Sequence, residues 1–241
     1  MADIALAVTD LQISASRRRK EAVVRVALFA AATLSVVITV LIVVSLVGEA
    51  LAFVRGEDFT WNSLTDIGWF PRRGFYDIGT LIVGSLIVTV IAMLVAWPLG
   101  VGAAIYLSEY AQPRVRRVLK PVLEILAGIP SVVLGFFALT VISPDLVQTI
   151  FTDSPQFNLL AAGLGVGILT IPLVASISED ALRSVPNALR EASEGLGARK
   201  MTTTVQVVIP AAVSGLMAAL IVGVSRAIGE TMVVAIAAGA S

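Results

Sequence analysis

Hydrophobic positions in this chain come in long blocks, without the alternation or amphipathic stripes of a soluble domain. Five blocks stand out: Val26 to Val47, Ile78 to Leu107, Val122 to Ile142, Leu159 to Ile177, and Val205 to about Val234. A helix crossing the ~30 Å hydrocarbon core of a bilayer needs about 20 mostly apolar residues, so each block predicts a spanning helix. The first two contain no charge. At about 1.5 Å per residue the second is longer than the core and must tilt, kink or protrude, with Pro98 as the predicted kink. The third carries Glu124 near its start and Pro130 in its middle, the fourth Pro172 late, and the fifth Pro210 early with Arg226 and Glu230 late. The first block is too long for the apolar core of a signal peptide and no clear small-residue cleavage site follows it, so it reads as a span. The predicted fold class is all-α: a polytopic transmembrane helix bundle over residues 26–241, preceded by a cytoplasmic segment, residues 1–25.

Composition agrees. Of 241 residues, 57% are hydrophobic and 14% charged, against about 45–50% and about 25% in soluble domains. There is no His and no Cys, which removes imidazole acid–base chemistry, thiolate nucleophiles, disulfides and Cys/His zinc sites. The formal net charge is zero, which argues against nucleic acid as a partner. Placement of the charges is more telling. Basic residues gather before the first block (Arg17, Arg18, Arg19, Lys20, Arg25), between the second and third (Arg114, Arg116, Arg117, Lys120) and between the fourth and fifth (Arg183, Arg190, Arg199, Lys200). The other loops hold only Arg55, Arg72 and Arg73. The positive-inside rule then puts the N-terminus in the cytoplasm and the loop 48–77 outside; with the resemblance given below, the expected location is a bacterial plasma membrane. That loop holds Trp61, Trp69, Phe70, Phe75 and Tyr76, as an interfacial aromatic anchor would. Five passages leave the C-terminus outside, where the chain stops at Ala238-Gly-Ala-Ser241 with no basic tail; the expectation is that a sixth helix is missing.

The stretch Ser178 to Thr204 is too polar for lipid and too patterned for slack loop. Ser176 with Glu179 reads as a capping box. Pro186 suits the first turn of a second short helix through Asn187 to Glu194, ended by Gly195 and Gly197 accepting positive φ. Within it, Ala192, Ser193 and Gly197 are small enough for a partner surface to approach closely, and Glu191 suits a basic residue on that partner. From spacing alone the alternative holds equally: Ala192 and Gly197 pack within the loop and Glu191 is solvated.

Two charges lie deep in the fifth block. A charge at mid-helix costs about 2.5–3.5 kcal/mol on insertion scales and usually faces a bundle interior or a wet cavity. Arg226 and Glu230 are spaced to pair on one helix face. Arg presents a planar fork of donors matched to a tetrahedral oxyanion, and Glu230 would moderate its charge so that an anion passes without sticking. The alternative is a self-neutralising pair in the outer half of the membrane, with Arg226 snorkelling. Glu124, close to Lys120 at the start of the third block, reads first as a structural ion pair favoured by the helix dipole and second as an inner gate charge. Gly163, Gly165 and Gly167, with Ala161 and Ala162, read as a small-residue packing face.

Glu191-Ala-Ser193, then Gly197, Val207 and Ile209-Pro210, resembles the "EAA" loop of ABC importer permeases, with Ser193 in place of the second alanine. Tyr106-Leu-Ser-Glu-Tyr110, Leu119-Lys-Pro-Val-Leu-Glu-Ile-Leu-Ala-Gly-Ile-Pro-Ser-Val-Val133 and Ser225-Arg-Ala-Ile-Gly-Glu-Thr-Met232 look like the permeases of phosphate-specific importers, and the long outward loop is most similar to their C-type subunit. The resemblance covers about Ile78 to Gly239. It implies a coupling helix around Glu191, Ala192, Ser193 and Gly197 that docks on an ATPase, a pathway at Arg226, Glu230 and Thr231, and a sixth spanning helix. It also implies partners: a second related permease, two ATPase subunits, an extracytoplasmic phosphate-binding protein, and inorganic phosphate as cargo. No G-x-x-x-x-G-K-[ST] occurs, so ATP and Mg would be bound by the ATPase and no cofactor by this chain. The rival readings are a permease for another oxyanion such as molybdate or sulfate, a membrane scaffold or sensor, and, least supported without His or Cys, an intramembrane enzyme.

Overall fold

The computed structural model describes residues 15–56, 69–70 and 75–239, and the chain divides into two units, Met1–Ser63 and Leu64–Ser241. Residues 1–14, Trp61, Arg72, Arg73, Ala240 and Ser241, and the side chains of Trp69, Phe70, Phe75 and Tyr76, lie outside the described residues, so the aromatic-anchor expectation does too.

The first unit contributes one 40-residue helix, α1 (Ala15–Val54), about 60 Å long. Its hydroxyls close on its own backbone: Thr33 Oγ1 donates to the Phe29 carbonyl and Thr39 Oγ1 to the Ser35 carbonyl, both at 2.9 Å. A helix meant for lipid needs this, because hydrocarbon offers no other acceptor.

Among the described residues of the second unit, β1 (Trp69–Phe70) pairs antiparallel with β2 (Phe75–Tyr76) and the other elements are helices. Its helices are α2 (Ile78–Ile105, extended by a π-helical turn Tyr106–Tyr110), α3 (Pro113–Ala127), α4 (Ser131–Phe137, continuing through a π-helical stretch Ala138–Val147 into Gln148–Ile150), α5 (Leu159–Arg183), α6 (Asn187–Gly195), α7 (Lys200–Ala211), α8 (Val213–Ile228) and α9 (Met232–Ala237). Asp77 and Asn158 cap α2 and α5, their side chains accepting from the Thr80 and Ala161 amides. Among the described residues four helices are long and apolar enough to cross a membrane, or five if α7 and α8, bent by 70°, form one span.

Two predicted spans change shape. The third does not run from Val122. Gly128 ends α3 and Pro130 stands before α4, because the residue before a proline is driven from helical geometry; the candidate span is Ser131–Ile150. α3 is instead amphipathic. Arg116, Arg117, Lys120 and Glu124 share one side, while Val118 and Ile125 on the other are 63% and 72% exposed. The fifth block is broken twice, by the bend at Ala212 and by an unwound stretch at Gly229–Thr231. Pro98 stands inside unbroken α2.

α5 is the centre of the unit, with α2, α3, α4, α8 and α9 against it. Lipid is as apolar as leucine, so spanning helices associate through close packing and not through release of water. The α5 glycines supply that closeness on two faces. A methyl on Gly163 would lie 2.7 Å from Ile91 Cβ, and one on Gly167 would lie 3.0 Å from the Ala92 carbonyl oxygen, so both meet α2. A methyl on Gly165 would lie 2.9 Å from Ala138 Cβ and 3.1 Å from Val233 Cγ1, so this glycine meets α4 and α9. The packing role was legible in sequence; its division between two faces was not. Gly163→Ala is therefore expected to cost about 1–3 kcal/mol, the range for overpacking. Thermal unfolding of the purified protein in detergent checks this, and an unchanged midpoint would contradict the packing.

Candidate functional site

The break in the last block positions the first group of side chains. α8 runs antiparallel to α5. Gly215 meets Ala181, Gly223 meets Val174, Val233 of α9 meets Gly165, and the Asn158 amide donates to the Ala237 carbonyl at 3.1 Å. Gly229–Thr231 is thus level with the middle turns of α5. The Arg226–Glu230 pair is therefore level with the middle of α5. Within a spanning helix, unwound backbone survives only where protein or a wet cavity covers it, and discontinuous helices of this kind build substrate sites in transporters. Arg226 Nη2 lies 3.6 Å from Glu230 Oε2; the Glu230 side chain is 6% exposed and the Arg226 side chain 47%. Glu230 Oε1 also accepts from the Val233 amide at 3.5 Å. The carboxylate is thus fixed inside the bundle and the guanidinium is turned outward. Ser225, Gly229 and Thr231 are exposed beside it, and Ser214 and Ala218 continue the same open side of α8. Ile221 and Val222 are exposed on that side as well, at 62% and 42%; a half-open arginine among these residues suits an oxyanion better than hydrocarbon.

The second group lies at the end of the bundle that holds α6. α6 begins after Pro186, which sits at the cap with φ −59° one residue before the predicted first turn, and of the two glycines expected to end it only Gly197 takes positive φ. Gly197 has φ +81°, the Gly197 amide donates to the Glu194 carbonyl at 2.9 Å and the Ala198 amide to the Ser193 carbonyl at 3.2 Å. These are the paired bonds of a glycine-terminated helix; Gly195 stays within the helix. Glu191, Ala192 and Gly197 are exposed and Leu196 is 90% exposed. Ser193 departs from its expected place. Its Oγ is 2.8 Å from Thr203 Oγ1 of α7, so it binds the loop together instead of facing a partner.

Glu179 is the group that sequence reasoning misread. It does not box a helix start, because α5 runs unbroken from Leu159 to Arg183. It is 1% exposed and holds three cations: Arg116 Nη2 at 2.6 Å, Lys120 Nζ at 2.7 Å and Arg183 Nε at 3.8 Å. Lys120 also reaches Asp180 at 2.5 Å. Burial disfavours the Lys120 ammonium, but hydrogen bonds to Asp180 and Glu179 outweigh that and hold its pKa above the ordinary lysine value. Lys120 is thereby committed across the bundle, which corrects the expected Lys120–Glu124 pair. Glu124 is exposed in the last turn of α3, where the helix dipole does not favour a carboxylate. It lines a cavity of about 640 Å³ with Arg116, Arg117, Lys120 and Arg183. Sequence reading had counted these cations only as loop charge; the usable signal was that acids at Glu109 and Glu179 close two apolar helices beside basic loops.

A helical bundle with four or five candidate spans, one of them broken, defines the class of polytopic membrane proteins. A family model for the binding-protein-dependent transport system inner membrane component matches residues 96–241. The protein named Probable ABC transporter permease protein YqgH of Bacillus subtilis is 40% identical over 73% of this chain and 57% of its own length. Phosphate transport system permease protein PstC of Mesorhizobium japonicum is 34% identical over 88% of this chain and 72% of its own, and PstA 1 of Mycobacterium tuberculosis 32% over 75% and 60%. The inward-facing MetNI methionine ABC transporter structure matches at 24% identity with a TM-score of 0.48, over 61% of this chain and 66% of that one. The chain spans 57% to 72% of the length of these curated relatives. It belongs to the family of binding-protein-dependent transport system inner membrane components.

Proposed function

We propose that this chain is a permease subunit of an ATP-driven phosphate importer in a bacterial inner membrane, lining half of the anion pathway. The observation that carries the reading is the unwound Gly229–Thr231 level with the middle of α5, with Glu230 buried and Arg226 half-open beside it. A passing phosphate would exchange water for the Arg226 fork, with Thr231 beside it as a further donor. Glu230 offsets part of the charge so that the anion is released again. The names of the PstC and PstA relatives support phosphate as cargo. The α6 end faces the cytoplasm in this reading, as does the N-terminus. Two of the three basic stretches meet at that end: Arg116 and Lys120 of α3 close on the last turns of α5 beside Arg183. There the exposed Glu191, Ala192 and Gly197 dock on an ATPase subunit, which binds ATP and Mg. A second permease completes the pathway, and an extracytoplasmic binding protein delivers the anion. Glu124, open beside the basic cavity, serves as an inner gate charge.

The test is uptake of radiolabelled phosphate by the complex reconstituted in vesicles. ATP-dependent uptake that sulfate and molybdate at equal concentration do not reduce supports the reading; displacement by either assigns the chain to another oxyanion. Glu191→Arg is expected to weaken co-purification of the ATPase, or to leave it bound with ATP turnover uncoupled from uptake. If neither occurs, α6 does not couple.

A further inference from the structure

α6 has two faces. Glu191, Ala192 and Gly195 are exposed, while Arg190 and Ser193, three apart and so on one side of the helix, are turned into the protein. A guanidinium has five N–H donors, and every one on Arg190 has an acceptor. Nε donates to Glu109 Oε2 at 3.3 Å and Nη2 to Glu109 Oε1 at 2.9 Å, a two-pronged pair. Nη2 also donates to the Leu182 carbonyl at 2.9 Å, and Nη1 to the Val185 carbonyl at 2.6 Å and Asn187 Oδ1 at 3.3 Å. The side chains of Arg190 and Glu109 are 18% and 6% exposed, so little water competes. One side chain therefore joins three elements: α6, the Leu182 and Val185 carbonyls at the end of α5, and Glu109 in the π-helical turn that ends α2. Ser108 Oγ holds Glu109 Oε1 at 2.8 Å. A second tie runs to α7, through Ser193 and Thr203, and Lys200 of α7 stands 5.3 Å from the Tyr110 ring centre at the end of α2.

We infer that Arg190 is the linchpin that delivers displacement of α6 to α2 and α5: a positioning residue for transport that meets neither the anion nor the ATPase. The inference rests on the coupling reading above and names the side chain that makes the lever rigid. Displacement entering α2 and α5 together reaches the pathway by direct packing, because Gly223, one turn before Arg226, is seated on Val174 of α5 and Met93 of α2. Lysine cannot replace Arg190: a single ammonium has three donors and no fork, so it cannot hold Glu109 at two points and both carbonyls at once.

The experiment uses the full chain in its reconstituted complex with Arg190→Ala, Arg190→Lys and Glu109→Gln, the last keeping side-chain volume. ATPase co-purification, ATP turnover and phosphate moved per ATP are measured together. The expected result is retained ATPase association, since the exposed face is untouched, with phosphate per ATP falling roughly three- to tenfold in all three variants, the scale of mutations along a coupling path. A purely structural role would lower turnover and uptake in proportion and leave the ratio unchanged; that result overturns the inference. Loss of assembly in both Arg190→Ala and Glu109→Gln also overturns it, making the pair a folding brace. Failure of the coupling reading looks different: the unaltered chain itself would retain no ATPase, or would move phosphate without ATP.

Discussion

Exchange of Arg226 for Gln is expected to cut phosphate uptake by about two orders of magnitude at unchanged expression. Two opposite unit charges ~4 Å apart, at an effective dielectric near 20, attract by about 4 kcal/mol, and each ~1.4 kcal/mol of barrier is about tenfold in rate. Glu230 already offsets part of that field, so the net loss is below the full Coulomb figure. Arg226→Lys keeps the charge and loses the fork, and should retain part of the uptake. Glu230→Gln should act in the opposite sense on binding: with the buried carboxylate neutral, the anion is held more tightly and released more slowly, lowering both the half-saturating concentration and the maximal rate. Near-normal uptake by Arg226→Gln would remove the pathway role and return the pair to a packing feature.

The largest effect on stability is expected from the double substitution Arg116→Ala and Lys120→Ala. Glu179 is essentially without solvent contact, and with both partners gone only Arg183, at 3.8 Å, remains. An uncompensated buried charge costs about 3–5 kcal/mol. Each single change should cost much less, since the other cation remains. Adding Glu179→Leu to the double variant should recover much of the loss, because the penalty lies in the stranded charge and not in the missing bridge. Thermal midpoints in detergent check the series; a triple variant no better than the double would mean that the ion network itself carries the stability. The pH dependence follows in sign. Lys120 has a raised pKa, so its contribution is present through the neutral range and is lost only as pH climbs above the ordinary lysine value of 10.5.

Runs of apolar residues were read correctly as membrane helices wherever length alone decides, as in α1, α2 and α5. The reading failed where backbone chemistry overrode hydropathy. Val122–Ala127 looked like the start of a span, yet Gly128 and Pro130 close one helix before the next. Gly229 and the residues after it looked like the end of a span and are unwound. Glu179 was misread for another reason: a capping box and a buried ion hub share the same local letters, and only the arrival of Arg116 and Lys120, 63 and 59 residues distant, separates them. Ser193 was read as presenting a small surface because its partner, Thr203, belongs to the next helix.

By itself, the order of residues determined that this is a helical membrane protein, where its glycines permit close approach, and that a short helix ending at Gly197 stands among basic loops. Each of these follows from interactions within a few turns of chain or with lipid. Folding in three dimensions decided which charges meet. It set Arg226 and Glu230 level with the middle of α5, buried Glu179 under α3, and put all five donors of Arg190 to use. The physical reason is that an ion pair depends on the distance between atoms supplied by different helices, and helix packing, which no local pattern encodes, sets that distance.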